Sequence, residues 1–198
     1  MNDNSYYDMY ITNFNINLLD CKFIGKGHNG TVFLLPDGNK IIKICTEEES
    51  CISEYDILEK VNGNKYFPKV YGMCGNYMIR DYVTGEILKD YIKKNGLTKE
   101  MSIKIIELLE EFNKLKFTKQ DIRCKDIIVQ KDGTLKVIDP KNFYNKHRIF
   151  PRHLSKGLYK LGVIDYFLDT MKKERYEQYK KWNGKIRNYI KYIKYENR

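Results

Sequence analysis

Residues 120–140 read QDIRCKDIIVQKDGTLKVIDP, and this stretch decides how the second half of the chain folds. Two short β-branched runs, 127–129 and 135–138, flank Lys131-Asp132-Gly133, a turn signal that closes β-hairpins. Antiparallel pairing brings the start of one strand beside the end of the other. The hairpin therefore gathers three carboxylates at one edge, those of Asp121, Asp126 and Asp139. Oxygen ligands of this kind suit Mg²⁺ when substrate phosphates complete the coordination, although the same pattern also fits three solvated loop aspartates.

The length and composition fit a folded protein with one large domain or two small lobes. The chain has 198 residues, of which 42% are apolar and 31% charged, enough for a core under a charged surface. It contains no run of about 18 apolar residues, so no membrane span is predicted. Its first ten residues, MNDNSYYDMY, carry neither a basic nor an apolar region and do not predict a secretory signal.

The cysteines indicate a reducing compartment. There are five, an odd count with no C-x-x-C spacing: Cys21, Cys45, Cys51, Cys74 and Cys124. We expect them to be reduced and packed as small apolar residues, with no zinc site. A cytoplasmic location follows, and the abundance of Lys, Ile, Asn and Tyr is typical of an AT-rich, bacterial genome.

A glycine-rich pattern occupies residues 23–35, which read FIGKGHNGTVFLL. Glycines spaced G-x-G-x-x-G let backbone N–H groups approach phosphates without obstruction by a Cβ atom. In a dinucleotide fold a helix follows this motif, whereas here a β-like run and the turn signal Pro36-Asp37-Gly38-Asn39 follow. The pattern therefore predicts a glycine-rich β-hairpin, with a simple flexible turn as the alternative. Residues 1–22, which precede it, are predicted to form an arm.

A lysine interrupts one apolar face of the next predicted strand, residues 40–44. Burial of the Lys43 ammonium group on that face would cost free energy unless an acidic side chain pairs with it. A helix is predicted over residues 46–61, with Thr46 as its N-cap. Glu54 lies near the apolar stripe of that helix and is the natural partner for Lys43. The alternative is a lysine that extends from the strand edge to solvent.

A change of character near residue 83 divides the chain. The elements predicted around it are strands at residues 70–73 and 77–79 and helices at residues 86–95 and 98–116. We expect a β-rich small lobe over residues 23–83 and a helical large lobe over residues 84–198. A nucleotide site is expected at the hinge, because clefts form at such boundaries.

Taken in order, these motifs resemble those of the protein-kinase superfamily over about residues 22–168. The series is the glycine-rich hairpin, then Lys43, Glu54, Asp121, Asp126 and Asp139. The resemblance is nearest to the minimal bacterial and archaeal kinases, including the RIO-type and tRNA-modification-associated groups, and points to a bacterial serine/threonine kinase-like protein. It implies an α+β, bilobal protein-kinase-like fold with a β-rich N-lobe and a reduced helical C-lobe.

The resemblance implies ATP as the nucleotide and assigns residues to it. Gly25, Gly27 and Gly30 would cover the triphosphate. Lys43 would hold the α- and β-phosphates and pair with Glu54. The residues implied around the adenine are Ile24, Val32, Ile41, Asp81, Val83 and Ile128.

The resemblance also assigns the transfer chemistry, which in kinases depends on positioning and charge neutralisation. Asp121 would accept the proton of the substrate hydroxyl. Arg123 would lie near the γ-phosphate, where kinases often carry a lysine. Asp126 and Asp139 would bind Mg²⁺, with Asp126 standing where kinases carry an asparagine.

Several positions depart from the kinase pattern. Lys119-Gln120-Asp121 lacks the usual His and Arg, and Asp139-Pro140-Lys141 lacks the Phe and Gly that allow an in/out switch. Arg80 stands at the gatekeeper position, which is usually apolar. A helix predicted over residues 158–168 resembles the buried sixth helix of kinases, but Gly157 replaces its aspartate. With no APE motif, the peptide-substrate platform is expected to be reduced or absent.

The net charge of +10 is concentrated at the C-terminal end of the chain. Residues 171–198 hold ten Lys/Arg and three Glu, a net of +7, interleaved with five Tyr and the single Trp. One interpretation is a basic aromatic helix that binds nucleic acid or another acidic partner. The other is an amphipathic helix whose aromatic residues pack on the large lobe while its Lys and Arg face water.

Three functions are compatible with this pattern. The first is an ATP- and Mg²⁺-dependent phosphotransferase that acts on a Ser/Thr hydroxyl of a protein substrate, including this chain itself. The missing kinase residues favour a second, a pseudokinase or nucleotide-binding docking module. The missing APE motif permits a third, a small-molecule kinase of the sugar- or antibiotic-phosphorylating kind.

Overall fold

A computed structural model of the chain describes residues 10–144 and 146–196. Contacts divide the chain into two units, of which unit 1 comprises residues 1–64 and 68–82 and unit 2 comprises residues 65–67 and 83–198. Within the described residues the fold is mixed α/β, with a five-stranded antiparallel sheet and six α-helices. None of these six helices combines the length and the apolar character that a membrane crossing requires.

Unit 1 contains the predicted glycine-rich hairpin, the helix that follows it and the two strands predicted after that helix. Its elements are β1 (Tyr10–Ile11), β2 (Ile16–Asn17), β3 (Lys22–Gly27), β4 (Gly30–Leu34), β5 (Lys40–Cys45), α1 (Glu48–Lys60), β6 (Val70–Cys74) and β7 (Tyr77–Asp81). Strands β1 and β2 pair with each other, and β3 to β7 form one antiparallel sheet in the order β3-β4-β5-β7-β6. Strand β5, whose residues Ile41 to Cys45 are all buried, therefore lies at the centre of the sheet.

One face of β5 builds the core of unit 1, because alternate residues of a strand point to the same side. Ile42 and Ile44 pack in a buried cluster with Ile11 and Leu18 from the segment that precedes β3. The described part of the predicted arm thus belongs to the core of unit 1, and residues 1–9 lie outside the described residues.

Helix α1 begins later than predicted, at Glu48. The hydroxyl of Thr46, the predicted N-cap, donates a hydrogen bond to the carbonyl oxygen of His28 at 3.2 Å. Its backbone N–H donates to the carbonyl oxygen of Asn29 at 3.3 Å. The N-cap prediction is wrong because a distant turn, the one between β3 and β4, takes both groups of Thr46.

The turn between β3 and β4 depends on one of its glycines. Gly27 pairs with Gly30 across the turn. Gly30 has φ = +140°, which L side chains rarely adopt, and a Cβ atom there would overlap the carbonyl oxygen of Ile44 and lie 2.9 Å from the Cα of Cys45. At Gly25 and Gly27, by contrast, a Cβ atom would meet no described atom within 4 Å. Only Gly30 is therefore required by the packing of the hairpin on β5.

The second predicted hairpin lies in unit 2. The elements of this unit are β8 (Glu86–Ile87), α2 (Leu88–Asn95), α3 (Lys99–Lys114), β9 (Ile127–Val129), β10 (Leu135–Val137), α4 (Arg152–Lys160), α5 (Ile164–Glu174) and α6 (Tyr176–Glu196). β9 and β10 pair antiparallel, as predicted. The predicted helix start at residue 86 is wrong, because β8 pairs with β9 and makes this sheet three-stranded.

A cluster of phenylalanine rings packs beside the segment that follows Asp139. Phe67, Phe112, Phe117 and Phe143 are all buried. Their ring centroids lie 4.6–6.4 Å apart, a spacing typical of favourable aromatic pairs. Because Phe143 follows Asp139 by four residues, this packing holds the backbone of the intervening segment in place.

The C-terminal helix α6 packs one face against unit 2. Trp182, Ile186, Ile190 and Ile193 are buried, and the indole N–H of Trp182 donates to the carbonyl oxygen of Ile149 at 3.0 Å. Three tyrosines of the same helix are exposed, Tyr176, Tyr192 and Tyr195. The packing interpretation of the tail is therefore correct for Trp182 and wrong for these three tyrosines, and an acidic partner for the basic tail stays a prediction.

The helix predicted over residues 158–168 is two helices, α4 and α5. Gly162 has φ = +74° and ends α4. Its N–H donates to the carbonyl oxygen of Tyr159 at 2.9 Å, and the N–H of Val163 donates to that of Leu158 at 3.0 Å. These two bonds are those of a Schellman cap, which satisfies the last carbonyl groups of a helix and redirects the chain.

Gly157 lets α4 pack closely on the loop before β9. A Cβ atom at this position would lie 2.6 Å from Cys124 Sγ, and Cys124 itself is buried. The departure from the kinase pattern at this position therefore has a packing cause.

We expect Gly157→Ala to lower the free energy of unfolding by about 1–3 kcal/mol, because the added methyl group overpacks the contact with Cys124. The double variant Gly157→Ala/Cys124→Ala should lose less than the sum of its two single variants. Gly184→Ala in α6 is the control, since a Cβ atom there meets no described atom within 4 Å and alanine favours a helix by about 1 kcal/mol over glycine. Urea unfolding followed by Trp182 fluorescence measures each variant. Stabilisation by Gly157→Ala would contradict the close contact.

We expect Gly30→Ala to lower the melting temperature of unit 1, since the left-handed conformation and the overlap with Ile44 together cost about 1–3 kcal/mol. Gly27→Ala, the same substitution on the facing residue of the turn, should leave the melting temperature nearly unchanged. Thermal unfolding followed by far-ultraviolet circular dichroism, with hydrogen exchange of the β4 and β5 amides, compares the two. Equal losses would show that the hairpin does not pack on β5 as described.

Candidate functional site

Unit 1 contains a buried ion pair. Lys43 of β5 and Glu54 of α1 lie 2.6 Å apart, Nζ to Oε2, and their side chains are 3% and 1% exposed. The guanidinium Nε of Arg80, on β7, lies 4.0 Å from the other carboxylate oxygen of Glu54. The structure thus gives the buried lysine the acidic partner that its apolar surroundings require.

These three side chains carry a net charge of +1, two cations and one anion. At low exposure the loss of one partner is expensive, since breaking a buried pair costs about 3–5 kcal/mol. The predicted gatekeeper residue Arg80 therefore belongs to the same group of buried charges as Lys43 and Glu54. A positive group held by a sheet and a helix can attract an anion of a ligand.

The glycine-rich hairpin contains a bulge at one predicted nucleotide residue. Phe23 pairs with Phe33 while Gly25 pairs with Val32, so that Ile24 lies between them without a partner across the ladder. Ile24 is among the exposed apolar residues of unit 1. Val32 pairs across β4 and β5 with Lys43.

The other residues predicted near the adenine are placed in both units. In unit 1, Ile41 is buried on β5, and the Asp81 carboxylate accepts hydrogen bonds from the Lys69 N–H at 2.9 Å and the Tyr71 hydroxyl at 2.8 Å. In unit 2, Val83 is half-buried and Ile128 of β9 is buried. Their assignment to a nucleotide stays a prediction.

The edge of the β9–β10 hairpin opens on a cavity of about 170 Å³. The cavity is lined by Lys119, Ile122, Arg123, Asp126, Asp139, Lys141, Asn142, Phe143 and His153. Asp139 has φ = +52°, a left-handed conformation that a residue other than glycine keeps only where its surroundings hold it. Two of the three predicted carboxylates therefore line one cavity of unit 2.

Asp126 is buried and paired at this cavity. Arg123 donates to both of its oxygens, from Nε at 2.6 Å and from Nη2 at 3.2 Å. Burial raises the pKa of the Asp126 carboxyl, the charge of Asp139 adds to the rise, and Arg123 opposes it. The carboxylate is thus poised to gain stability from any further cation beside it.

Asp121 has a different environment from the other two acids. Its side chain is 0% exposed, and its Oδ1 accepts hydrogen bonds from the N–H groups of His153 at 2.8 Å and Leu154 at 3.4 Å, in the first turn of α4. Its Oδ2 bonds to His153 Nδ1. The helix start supplies both donors and a favourable dipole, which explains how a carboxylate can be fully buried there.

This placement corrects the three-acid cluster expected at the hairpin edge. Within residues 10–144 and 146–196, no group of three or more His, Cys, Asp or Glu side chains is arranged to hold a metal ion. Asp121 faces the start of α4, so that two carboxylates, Asp126 and Asp139, remain together at the cavity. The error arose because strand pairing fixes where a backbone lies and leaves the direction of a loop side chain open.

His153 is a candidate functional residue that the sequence did not indicate. It lines the cavity through a side chain that is 47% exposed and bonds to Asp121. It stands alone, 14 residues after Asp139 and outside every motif. No local pattern could have found it, because only the packing of α4 brings it to the hairpin.

The two motifs that depart from the kinase pattern are joined to each other. The ammonium group of Lys119 donates to the carbonyl oxygen of Lys141 at 2.9 Å and lies 5.1 Å from the centre of the Phe143 ring. Burial lowers the pKa of Lys119, with the Asp121 charge opposing the change. The lysine therefore ties the loop of Asp121 to the segment that follows Asp139.

Comparison with known proteins gives two partial matches, and no family model matches the chain. A Bacillus subtilis (strain 168) protein named "Putative serine/threonine-protein kinase YrzF" is 26% identical over 125 residues, 61% of this chain and 58% of that protein. A Clostridium perfringens (strain 13 / Type A) protein named "Probable serine/threonine-protein kinase CPE1738" is 33% identical over 69 residues, 32% of this chain and 10% of that protein. The chain thus spans less than two thirds of either relative, and their names suggest a kinase-like relationship for the matched part.

The raised pKa of Asp126 predicts a pH-dependent stability. Between its ordinary pKa and its raised value the folded chain binds more protons than the unfolded chain, so Asp126 lowers the free energy of unfolding as pH rises. We expect Asp126→Asn to remove this contribution, so that the free energy of unfolding of the variant minus that of wild type becomes more positive as pH rises above about 4, the ordinary pKa of an aspartate. Urea unfolding followed by Trp182 fluorescence measures the difference.

Asp132, in the turn of the same hairpin, is the matched control. Hydrogen bonds from Thr134 lower its pKa, so Asp132→Asn should lose stability relative to wild type as pH rises. If Asp126→Asn instead loses stability relative to wild type as pH rises, as Asp132→Asn should, then Arg123 lowers the pKa of Asp126 by more than burial raises it.

Proposed function

We propose that this chain has a bilobal kinase-like fold and is an ATP- and Mg²⁺-dependent phosphotransferase that acts on a serine or threonine hydroxyl of a protein. The observation that carries the proposal is the buried pair of Lys43 and Glu54, 2.6 Å apart on β5 and α1. An ion pair buried for stability alone gains little over apolar residues of the same size. Phosphate binding would explain the pair, because Glu54 would hold the Lys43 ammonium group at the fixed place where it meets a phosphate.

Unit 1 would contribute the phosphate-holding residues. Lys43 would contact the α- and β-phosphates, and the net charge of +1 on Lys43, Arg80 and Glu54 favours an anion there. A Cβ atom at Gly25 or Gly27 would meet no described atom within 4 Å, so the packing of the hairpin does not require glycine at either position. Glycines there suit backbone N–H groups that approach phosphate oxygens. The unit 1 residues that would contact the adenine lie on β3, β4 and β5 and are Ile24, Val32 and Ile41.

Unit 2 would contribute the metal ligands and the transfer chemistry. Asp126 and Asp139 line one cavity and offer only oxygen atoms, the ligand type that Mg²⁺ prefers. The charge of each carboxylate raises the cost of burying the other, a cost that a bound divalent cation would remove. Mg²⁺ held there would neutralise phosphate charge during transfer. Arg123, half-exposed beside Asp126, would meet the γ-phosphate.

Binding and transfer by four proteins test this proposal: wild type, Lys43→Met, Asp139→Asn and Lys40→Met. Lys40 is the control, since it lies on the same strand but its side chain is 36% exposed, in a pair with Asp37. We expect ATP with Mg²⁺ to raise the melting temperature of wild type, and Lys43→Met and Asp139→Asn to lower transfer of labelled phosphate about 100-fold or more. Lys40→Met should stay within about twofold, since an exposed pair contributes at most about 1 kcal/mol.

The outcomes separate the proposal from its main alternative. ATP binding that ignores Mg²⁺, with no transfer to a protein acceptor or to the chain itself, would favour the nucleotide-binding docking module. The burial of Asp121, unusual for a residue that must meet a substrate, is the observation that favours this alternative. Failure of wild type to bind ATP at all would overturn the proposal.

A further inference from the structure

The buried carboxylate of Asp121 is in the wrong place to receive a proton from a substrate. A general base must come within about 2.6–3.2 Å of the hydroxyl that it deprotonates. Asp121 is 0% exposed, its two oxygens already accept from two backbone N–H groups and one ring nitrogen, and it is not among the described residues that line the cavity. Contact with a substrate would require the first turn of α4 to open.

His153 has the access that Asp121 lacks. It lines the same cavity as Asp126 and Asp139, the proposed metal ligands, and 47% of its side chain is exposed. An ionised carboxylate can only accept a hydrogen bond, so the bond to Asp121 assigns the proton of the neutral ring to Nδ1. Nε2 is then the nitrogen with the lone pair, as a base requires.

We propose that His153, held by Asp121, is the general base of the phosphoryl transfer, and that Asp121 is its positioning residue. The inference rests on the proposed function. As the acceptor hydroxyl oxygen attacks the γ-phosphorus, its proton passes to Nε2 of His153. The bond between the γ-phosphorus and the bridging oxygen breaks, and ADP leaves with that electron pair. The imidazolium later returns its proton to solvent.

The surroundings of His153 support this division of roles. A buried aspartate that fixes the tautomer of a histidine and stabilises its imidazolium is the arrangement that activates serine in hydrolases. Here the two backbone N–H donors of α4 hold the carboxylate of Asp121 in place. The other charged groups that line the cavity are Lys119, Arg123, Asp126, Asp139 and Lys141.

Transfer rates and rescue by imidazole test the assignment. We expect His153→Gln to lower the transfer rate about 100-fold or more, with no change in the melting-temperature shift caused by ATP and Mg²⁺. His147→Gln is the matched control, since His147 is exposed and lies in the segment before α4, and its rate should stay within about twofold of wild type. His153→Ala should regain rate as imidazole is added, because the ring then enters the space left by the side chain.

Asp121→Asn tests the positioning role. It should lower the rate without rescue by imidazole, since the ring of His153 is still present but is held in the wrong tautomer. The melting temperature of each variant shows whether α4 remains folded, and the His153 variants decide the matter if Asp121→Asn does not fold.

Each result bears on one proposal or on both. A wild type that transfers no phosphate overturns the proposed function and this inference with it. A wild type that transfers phosphate, with His153→Gln equally active, overturns the general base alone. A folded and slow His153→Ala that imidazole does not rescue also overturns it, since His153 would then only support the packing of α4.

Discussion

A charge can be buried only when an opposite charge or enough hydrogen-bond donors accompany it, and this constraint shapes both units. In unit 1 the apolar face of β5 can hold Lys43 because Glu54 meets it at 2.6 Å, and the pair therefore fixes how α1 lies on the sheet. In unit 2 the start of α4 supplies two N–H groups and a ring nitrogen to Asp121. The position of Lys43 therefore depends on the packing of α1, and the position of Asp121 depends on the packing of α4.

The sequence was informative about the fold where the cause is local. Glycines and the Asp-Gly turn signals predicted the hairpins, and apolar spacing predicted α1 and α3 within two residues of their ends. It failed where a distant partner decides: Thr46 gives its hydroxyl to the β3–β4 turn, and Glu86 starts a strand on β9. The division between α4 and α5 is a different case, because the Gly162 cap is local and the apolar pattern running across it concealed the signal.

The candidate site shows the same limit. The pairing of Lys43 with Glu54 could be predicted, because a lysine on an apolar face needs a partner and the next helix offers one. The grouping of Asp126 with Asp139 could also be predicted, because antiparallel pairing brings together the ends of a hairpin. The burial of Asp121 and the arrival of His153 could not, since both depend on α4, an element whose position no pairing rule defines. Motif spacing therefore located the two carboxylates of the cavity better than it located His153.

The two altered motifs, Lys119-Gln120-Asp121 and Asp139-Pro140-Lys141, make sense when taken together. The resemblance to kinases implies that the usual Phe and Gly after the metal-binding aspartate permit a switch. Here Lys119 holds the carbonyl oxygen of Lys141 at 2.9 Å, and Phe143 is buried among three other rings. Withdrawal of such a ring costs about as much as Phe→Ala in a core, about 3–5 kcal/mol. A segment with that penalty stays in one state, so control of any activity must act through another element.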